Sequence, residues 1–341
     1  MKKWLIVLLA LCILGTAAAE TAFYYTLDSV TDCANTNSRY DAFYAAGELS
    51  VNIPGCTQDF VPQGIAYLEE EGWIIISGYS TGKRNSALVA IDEETNTIVK
   101  EVFLNNMDGS AYTGHAGGVC VTEKNIYISN SKKLYRISLE TFYGLADSSY
   151  CMFEEVIPVP VNSSYCFYGD GILWVGEFEY GTEYKTDFSH RAKSADGRFK
   201  AWTCGYVLDP ATENEFKPGC ITEEGAVPDY VLSMTERIQG IAFKDGQFYL
   251  SQSYGRTASS TVYRYENVLA AEPEDTVEVY GQSVPLWFLD SEVQTGALVG
   301  PPMSECMCVA NDSIYLLFES GSTKYSNAVN RMDRVFRITG Y

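Results

Sequence analysis

The sequence predicts an all-β chain, a five-bladed β-propeller of four-stranded antiparallel blades whose ring is closed by an N-terminal strand. Three observations predict it. A block of strands recurs five times along the 341 residues, and internal repeats built only from strands are the signature of a propeller. Within each block the apolar runs are short, rich in β-branched and aromatic residues, and bounded by turn residues, which fits strands better than buried helices. The fifth block, finally, reaches Tyr341 before an outer strand can form, so an earlier segment must complete it.

The elements follow in order. Inner strands open at Gln63, Gly117, Ser163, Gln239 and Glu305, and Gln63-Gly64-Ile65-Ala66 returns as Gln239-Gly240-Ile241-Ala242. Second strands are expected at 73–77, 126–130, 172–176, 248–252 and 314–318. Third strands are expected at 87–92, 134–138, 203–209, 261–266 and 334–339. Outer strands for the first four blades are expected at 97–104, 153–159, 230–235 and 285–289. Residues 48–53 are expected to supply the fifth, which removes the exposed edges that would invite aggregation. Six blades are the alternative, should residues 20–60 form more than one strand.

Residues 1–19 combine Lys2 and Lys3, an apolar run from Trp4 to Leu14, and Ala17-Ala18-Ala19, the pattern of a secretory signal peptide. Leu11 before Cys12 argues against a lipid anchor. The expectation is a secreted, periplasmic or cell-surface protein, with residues 20–341 as a single propeller domain. No later stretch approaches about 18 apolar residues, so no membrane span is expected. The chain has 24 Lys and Arg against 44 Asp and Glu, a net charge of −20. That balance excludes nucleic acid as the partner of the molecule as a whole.

Of ten cysteines, nine follow the leader, an odd number that leaves at least one unpaired. Cys120, Cys166 and Cys308 align with Ala66 and Ala242 in the repeat and are expected as small buried thiols between blades. Cys33 with Cys56, and Cys204 with Cys220, are the disulfides expected in an oxidising compartment.

In a propeller the start of each inner strand and the end of each second strand surround the mouth of the central channel. Two polar rings follow. The first holds Gln63, Gly117, Ser163, Gln239 and Glu305, with His115 beside it. The second holds Gly78, Ser131, Glu177, Ser253 and Glu319, and Tyr79, Tyr254 and Arg256 come next on the same face. Rigid strands that present a few polar groups to a concavity make a ligand pocket, although such groups also merely satisfy one another in many channels. Glu177, Glu319 and His115 are the catalytic candidates, because two carboxyls with separated pKa values can act as acid and base. Gln63, Gln239, Arg256, Glu305, Tyr79 and Tyr254 are the ligand-binding candidates. Glu305, with Glu177 or Glu319 and the amide oxygens of Gln63 and Gln239, is the candidate site for calcium, a cation that takes hard oxygen ligands.

The loops that join second to third strands lie at the same mouth. Residues 79–86, 130–134, 178–201, 254–260 and 320–333 hold twelve basic residues, among them Lys324 and Arg256, against five acidic ones. A basic rim on an acidic body steers anions to one face. The longest loop, 178–201, is expected to cover the mouth, since long loops in compact domains tend to be functional.

Pro62-Gln63-Gly64-Ile65-Ala66, Arg237-Ile238-Gln239-Gly240-Ile241-Ala242 and Val262-Tyr263-Arg264-Tyr265 resemble secreted bacterial propellers of the strictosidine-synthase-like and gluconolactonase-like type. The resemblance implies a six-bladed ring, lactonase-type chemistry and a central calcium held in part by a glutamate opening an inner strand, a position Glu305 matches. Three functions remain open. The first is a module binding an anionic, carbohydrate-like small molecule or glycan at the mouth. The second is a hydrolase or lyase acting there on an acidic sugar, ester or lactone, and the third is an interaction scaffold with an inert channel.

Overall fold

The structure, a computed structural model, describes residues 22–341; the expected leader lies outside them. Each repeat forms its own antiparallel sheet, and the inner strands touch one another in a closed cycle: Phe60–Leu68, Gly118–Val121, Ser163–Gly169, Ile238–Lys244, Ser304–Ala310 and back to the first. That cycle is a five-bladed ring, as the repeats predict. It closes through Gly47–Asn52, which runs antiparallel to Arg334–Ile338 with Leu49 opposite Phe336. Phe43 fixes the entry to this strand by stacking on Phe336, with ring centroids 4.1 Å apart.

The core lies between blades, and it explains the alternation in the sequence. Ala66, Ile75, Leu88 and Val102 of the first blade pack on Val119, Ile126, Ile128 and Ile137 of the second. Burying each such branched side chain contributes about 1.5–3 kcal/mol. Blades can approach this closely near the axis because the repeat places glycine there. A Cβ on Gly64 would lie 2.4 Å from the Val119 amide nitrogen, and one on Gly118 would lie 2.3 Å from that of Cys166.

Two expectations about strands need correction. Residues 285–289 are not the outer strand of the fourth blade. Gln282–Leu289 instead joins the third blade, parallel to Tyr230–Met234, and the fourth blade is completed by Gln294–Gly300. The true outer strand is faint in the sequence because it is exposed at Gln294, Thr295 and Ala297, so its polar residues mask the period. The blades are also not uniformly four-stranded: the first gains Ser148–Met152 and the third gains Gln282–Leu289 and Asp275–Val279.

Cys120, Cys166 and Cys308 are buried, as their alignment with alanine predicts. All nine cysteines among the described residues are free thiols, which corrects the pairings Cys33–Cys56 and Cys204–Cys220. The Cys33 thiol donates instead to Asp333 Oδ1 at 3.1 Å, and Cys204 is buried in the third strand of its blade. No helix among the described residues is long and apolar enough to cross a membrane.

Candidate functional site

β-Bulges set the site. In the first blade Pro62 pairs with Gly78 and Gly64 with Ser77, so Gln63 is left over as the extra residue. The same irregularity frees Gln239 in the fourth blade, Glu305 and Cys306 in the fifth, and Ser164 in the third. A bulge re-aims the side chain of its extra residue. Gln63, Ser164, Gln239 and Glu305 thus meet at one end of the channel, with Gly117 beside them. The third-blade equivalent of Gln63 is therefore Ser164, although its neighbour Ser163 also reaches the wall.

These residues line a cavity of about 510 Å³ to which all five connecting loops contribute. Tyr79 comes from the first loop, Asn130 and Ser131 from the second, and Phe178 and Tyr184 from the third. Tyr254 and Arg256 come from the fourth, and Lys324 and Tyr325 from the fifth, beside Glu319, which directly follows the strand Ser313–Phe318. The structure thus brings together Gln63, Tyr79, His115, Gln239, Tyr254, Arg256, Glu305 and Glu319. It leaves out Glu177.

Glu177 is the correction that matters most. Phe178 lines the cavity, and consecutive residues of an extended chain point to opposite sides, so Glu177 turns away from it. Its carboxylate, 1 % exposed, accepts from the Asn162 and Trp202 amides at 3.1 Å each and from His190 Nδ1 at 2.6 Å. His190 in turn lies flat on Trp202 at 3.9 Å. The group pins the long loop to its blade.

The floor of the cavity is a carboxyl pair. Glu305, 4 % exposed, accepts from Gln239 Nε2 at 3.2 Å, and Glu319 accepts from Gln63 Nε2 at 3.2 Å. Burial pushes both acids above the ordinary carboxylate range. Glu305 moves well above it, because the Glu319 charge and the hydrogen bond between the two also favour its protonated form. Glu319 rises less, since hydrogen bonds from Tyr325, Glu305 and Gln63 and the charge of Lys324 all stabilise its anion. Of the two, Glu305 therefore holds a proton more tightly and Glu319 ionises first.

Aromatic clusters flank this floor. On one side Tyr254 packs on Tyr180 at 4.1 Å and near Phe178 and Tyr184 at 6.0 and 6.4 Å. On the other, His115 packs on Tyr79 at 4.5 Å, and the Lys324 ammonium sits 5.0 Å from the Tyr79 ring and 4.9 Å from Tyr325. The Arg256 guanidinium lies 5.2 Å from the Tyr325 ring, with Nη1 donating to Asn327 Oδ1 at 2.6 Å. His115 is open to solvent, but the concave wall and the nearby Lys324 charge lower its pKa, which favours the neutral imidazole.

Only Lys324 and Arg256 of the twelve loop cations line the cavity. Others are engaged elsewhere: Arg84 with Asp59 at 3.7 Å, Lys200 with Glu179 at 3.5 Å, and Arg331 with the carbonyls of Ser320, Gly321 and Ser322. The calcium that the resemblance implies does not fit the residues present. Gln63 and Gln239 turn N–H groups toward the carboxyls, and among the described residues no group of three or more His, Cys, Asp or Glu is placed to hold a metal.

The raised pKa of Glu305 has a measurable signature. A carboxyl whose folded pKa exceeds its unfolded value contributes stability that is complete below the unfolded pKa and is lost as pH rises toward the folded one. Glu305 is such a group, and Gln mimics its protonated form. Glu305→Gln should therefore melt near wild type at mildly acidic pH and increasingly above it as pH rises, in thermal melts across pH. A constant difference between the two proteins would contradict the raised pKa.

No protein-family model matches the sequence, and no curated protein matches it. Solved structures with a similar fold include a glutaminyl cyclase from Myxococcus xanthus (12% identity, covering 85% of this chain and 94% of that one, TM-score 0.44). A GH43_1 enzyme from Xanthomonas citri is similar as well (10% identity, 88% and 92% covered, TM-score 0.45). So is a gluconolactonase from Xanthomonas campestris (11% identity, 86% and 91% covered, TM-score 0.37). At such identities and TM-scores the likeness carries no argument about this chain, and the five-bladed ring rests on the strand pairing itself.

Proposed function

We propose that the protein binds an anionic carbohydrate at the mouth of its channel, outside the cytoplasm as its leader-like N-terminus suggests. The observation that supports this most is the composition of the cavity at the channel mouth, to which all five blades contribute. Two aromatic walls offer flat, rigid faces to a sugar ring, and the amide and carboxyl groups of the floor suit hydroxyls. Two cations stand against a carboxyl pair that holds one negative charge while Glu305 keeps its proton, so these groups leave a local surplus of one positive charge for an acidic substituent. An acid–base enzyme in the same pocket is the second reading, favoured by the unequal carboxyl pair.

Calorimetric titration with oligogalacturonate tests the binding reading. Lys324→Ala and Arg256→Ala should each weaken affinity about tenfold, equivalent to about 1.4 kcal/mol. Affinity should also fall with added salt, because exposed charges are screened over about 8 Å at physiological ionic strength. Arg256→Lys should recover part of the loss, since lysine keeps the charge without the planar fork. Affinity indifferent to both cations and to salt would refute the reading.

A further inference from the structure

We propose that Glu319 and Glu305 act as base and acid in a β-elimination that cleaves uronate-containing oligosaccharides, an inference that rests on the carbohydrate-binding reading above. The geometry separates elimination from hydrolysis. A glycoside hydrolase keeps its two carboxyl groups about 5–5.5 Å apart, or about 6.5–9.5 Å apart where a water must fit between them. Glu305 and Glu319 are instead in direct hydrogen-bond contact, which leaves no gap for a sugar carbon or a water between them. Elimination needs neither. It needs a base and an acid side by side on one face of the sugar ring, and a cation for the carboxylate.

Lys324 meets the last requirement. Its charge acts on Glu305, Glu319 and His115 alike, so a sugar carboxylate held by Lys324 brings its α-carbon over the pair. Neutralising that carboxylate acidifies the α-proton, as a preorganised charge placed where negative charge develops should. Glu319 takes the α-proton. The electron pair of the broken C–H bond forms the new double bond to the β-carbon, whose bond to the glycosidic oxygen breaks, and Glu305 delivers its proton to that oxygen. The pair begins and ends with one proton, so proton exchange between the two oxygens resets it without water, metal or redox partner. Both groups act from the floor, which makes the elimination syn.

Tyr325 is a positioning residue here: its hydroxyl donates to Glu319 and holds that carboxyl ionised. Phenylalanine at this position should shift the basic group's limb of the pH–rate profile to higher pH, which a purely structural role would not do.

The test uses the full-length mature protein with oligogalacturonate and, separately, oligoglucuronate, reading the ultraviolet absorbance of the conjugated unsaturated uronate product. Calorimetric binding and thermal melts are measured on the same preparations. Wild type should form the product from oligoglucuronate, whose α-proton and glycosidic oxygen lie on one face of the ring, and not from oligogalacturonate, where they lie on opposite faces. Glu319→Gln and Glu305→Gln should lower the rate by a factor of about 10²–10⁴ while still binding and melting as folded proteins, and Tyr325→Phe should show the shifted profile. Wild type that binds either oligomer without forming the unsaturated product from oligoglucuronate, or that forms it from oligogalacturonate, overturns the syn elimination and leaves the binding reading standing. Wild type that binds neither overturns the binding reading itself. Product formation that survives both glutamine variants, or a Tyr325→Phe profile that coincides with wild type, overturns the assignment of the pair.

Discussion

Replacing Asp333 by alanine should destabilise the protein by about 3–5 kcal/mol and release its N-terminal arm. Asp333 is 1 % exposed and ends the last connecting loop, just before the strand that closes the ring. Its carboxylate accepts from the Ser29 hydroxyl at 2.8 Å, the Thr31 amide at 2.9 Å, the Val30 amide and the Cys33 thiol. Its backbone carbonyl also receives the Ile53 amide at 2.8 Å. One charge thus ties the segment ahead of the closing strand to the far end of the chain. Without it, several buried donors lose their acceptor while the strand pairing alone holds the ring. Denaturant unfolding should show the loss, and limited proteolysis should cut within residues 22–46. Burial beside this anion pushes the Cys33 thiol up to about 12, so thiol labelling at Cys33 should accelerate in the variant. Unchanged unfolding and labelling would show that the arm is held by other contacts.

Glu177→Ala should be the second large stability effect, about 2–4 kcal/mol, because it deprives the Trp202 and Asn162 amides and His190 of their common acceptor. The loop at 178–201 should become protease-sensitive, and ligand affinity should fall only as far as Phe178 and Tyr184 shift. Denaturant unfolding and calorimetry on the same variant separate these outcomes. Full stability combined with lost turnover would return Glu177 to the chemistry.

The fold was legible because packing between blades buries both faces of every second strand, which leaves short unbroken apolar runs; Ile74-Ile75-Ile76 and Ile314-Tyr315-Leu316-Leu317 are too short for buried helices. Ring closure followed from counting, since the fifth repeat had no outer strand of its own. Outer strands were harder, because half their residues face water, and Gln294–Gly300 lost its signal while the more apolar Gln282–Leu289 attracted it.

Alignment of repeats also located most of the site. It could not see that Glu177 faces away while Glu319 faces in. Glu177 ends its strand opposite Ser163, whereas the residue so placed in the fifth blade is Phe318, opposite Ser304; Glu319 follows one residue later, at the place of Phe178, and side-chain direction reverses with each residue along a strand. Tyr184 and Tyr325 went unnoticed because loop residues have no repeat position to align; their only signal was an aromatic in four of the five connections at the mouth, among them Tyr79 and Tyr254. Counting charges overstated the rim as well. Most loop cations lie off the cavity, and those that matter were identifiable only by where they sit.

A crystal structure of the protein with an oligogalacturonate tests the central claim most directly. The account predicts a sugar ring between the Tyr254 and Tyr79 walls, its carboxylate within hydrogen-bond distance of Lys324 Nζ and its hydroxyls on Gln63, Gln239 and the Glu305–Glu319 pair. Oligomer bound at a blade edge or on the opposite face, with the mouth of the channel free of it, would contradict the account.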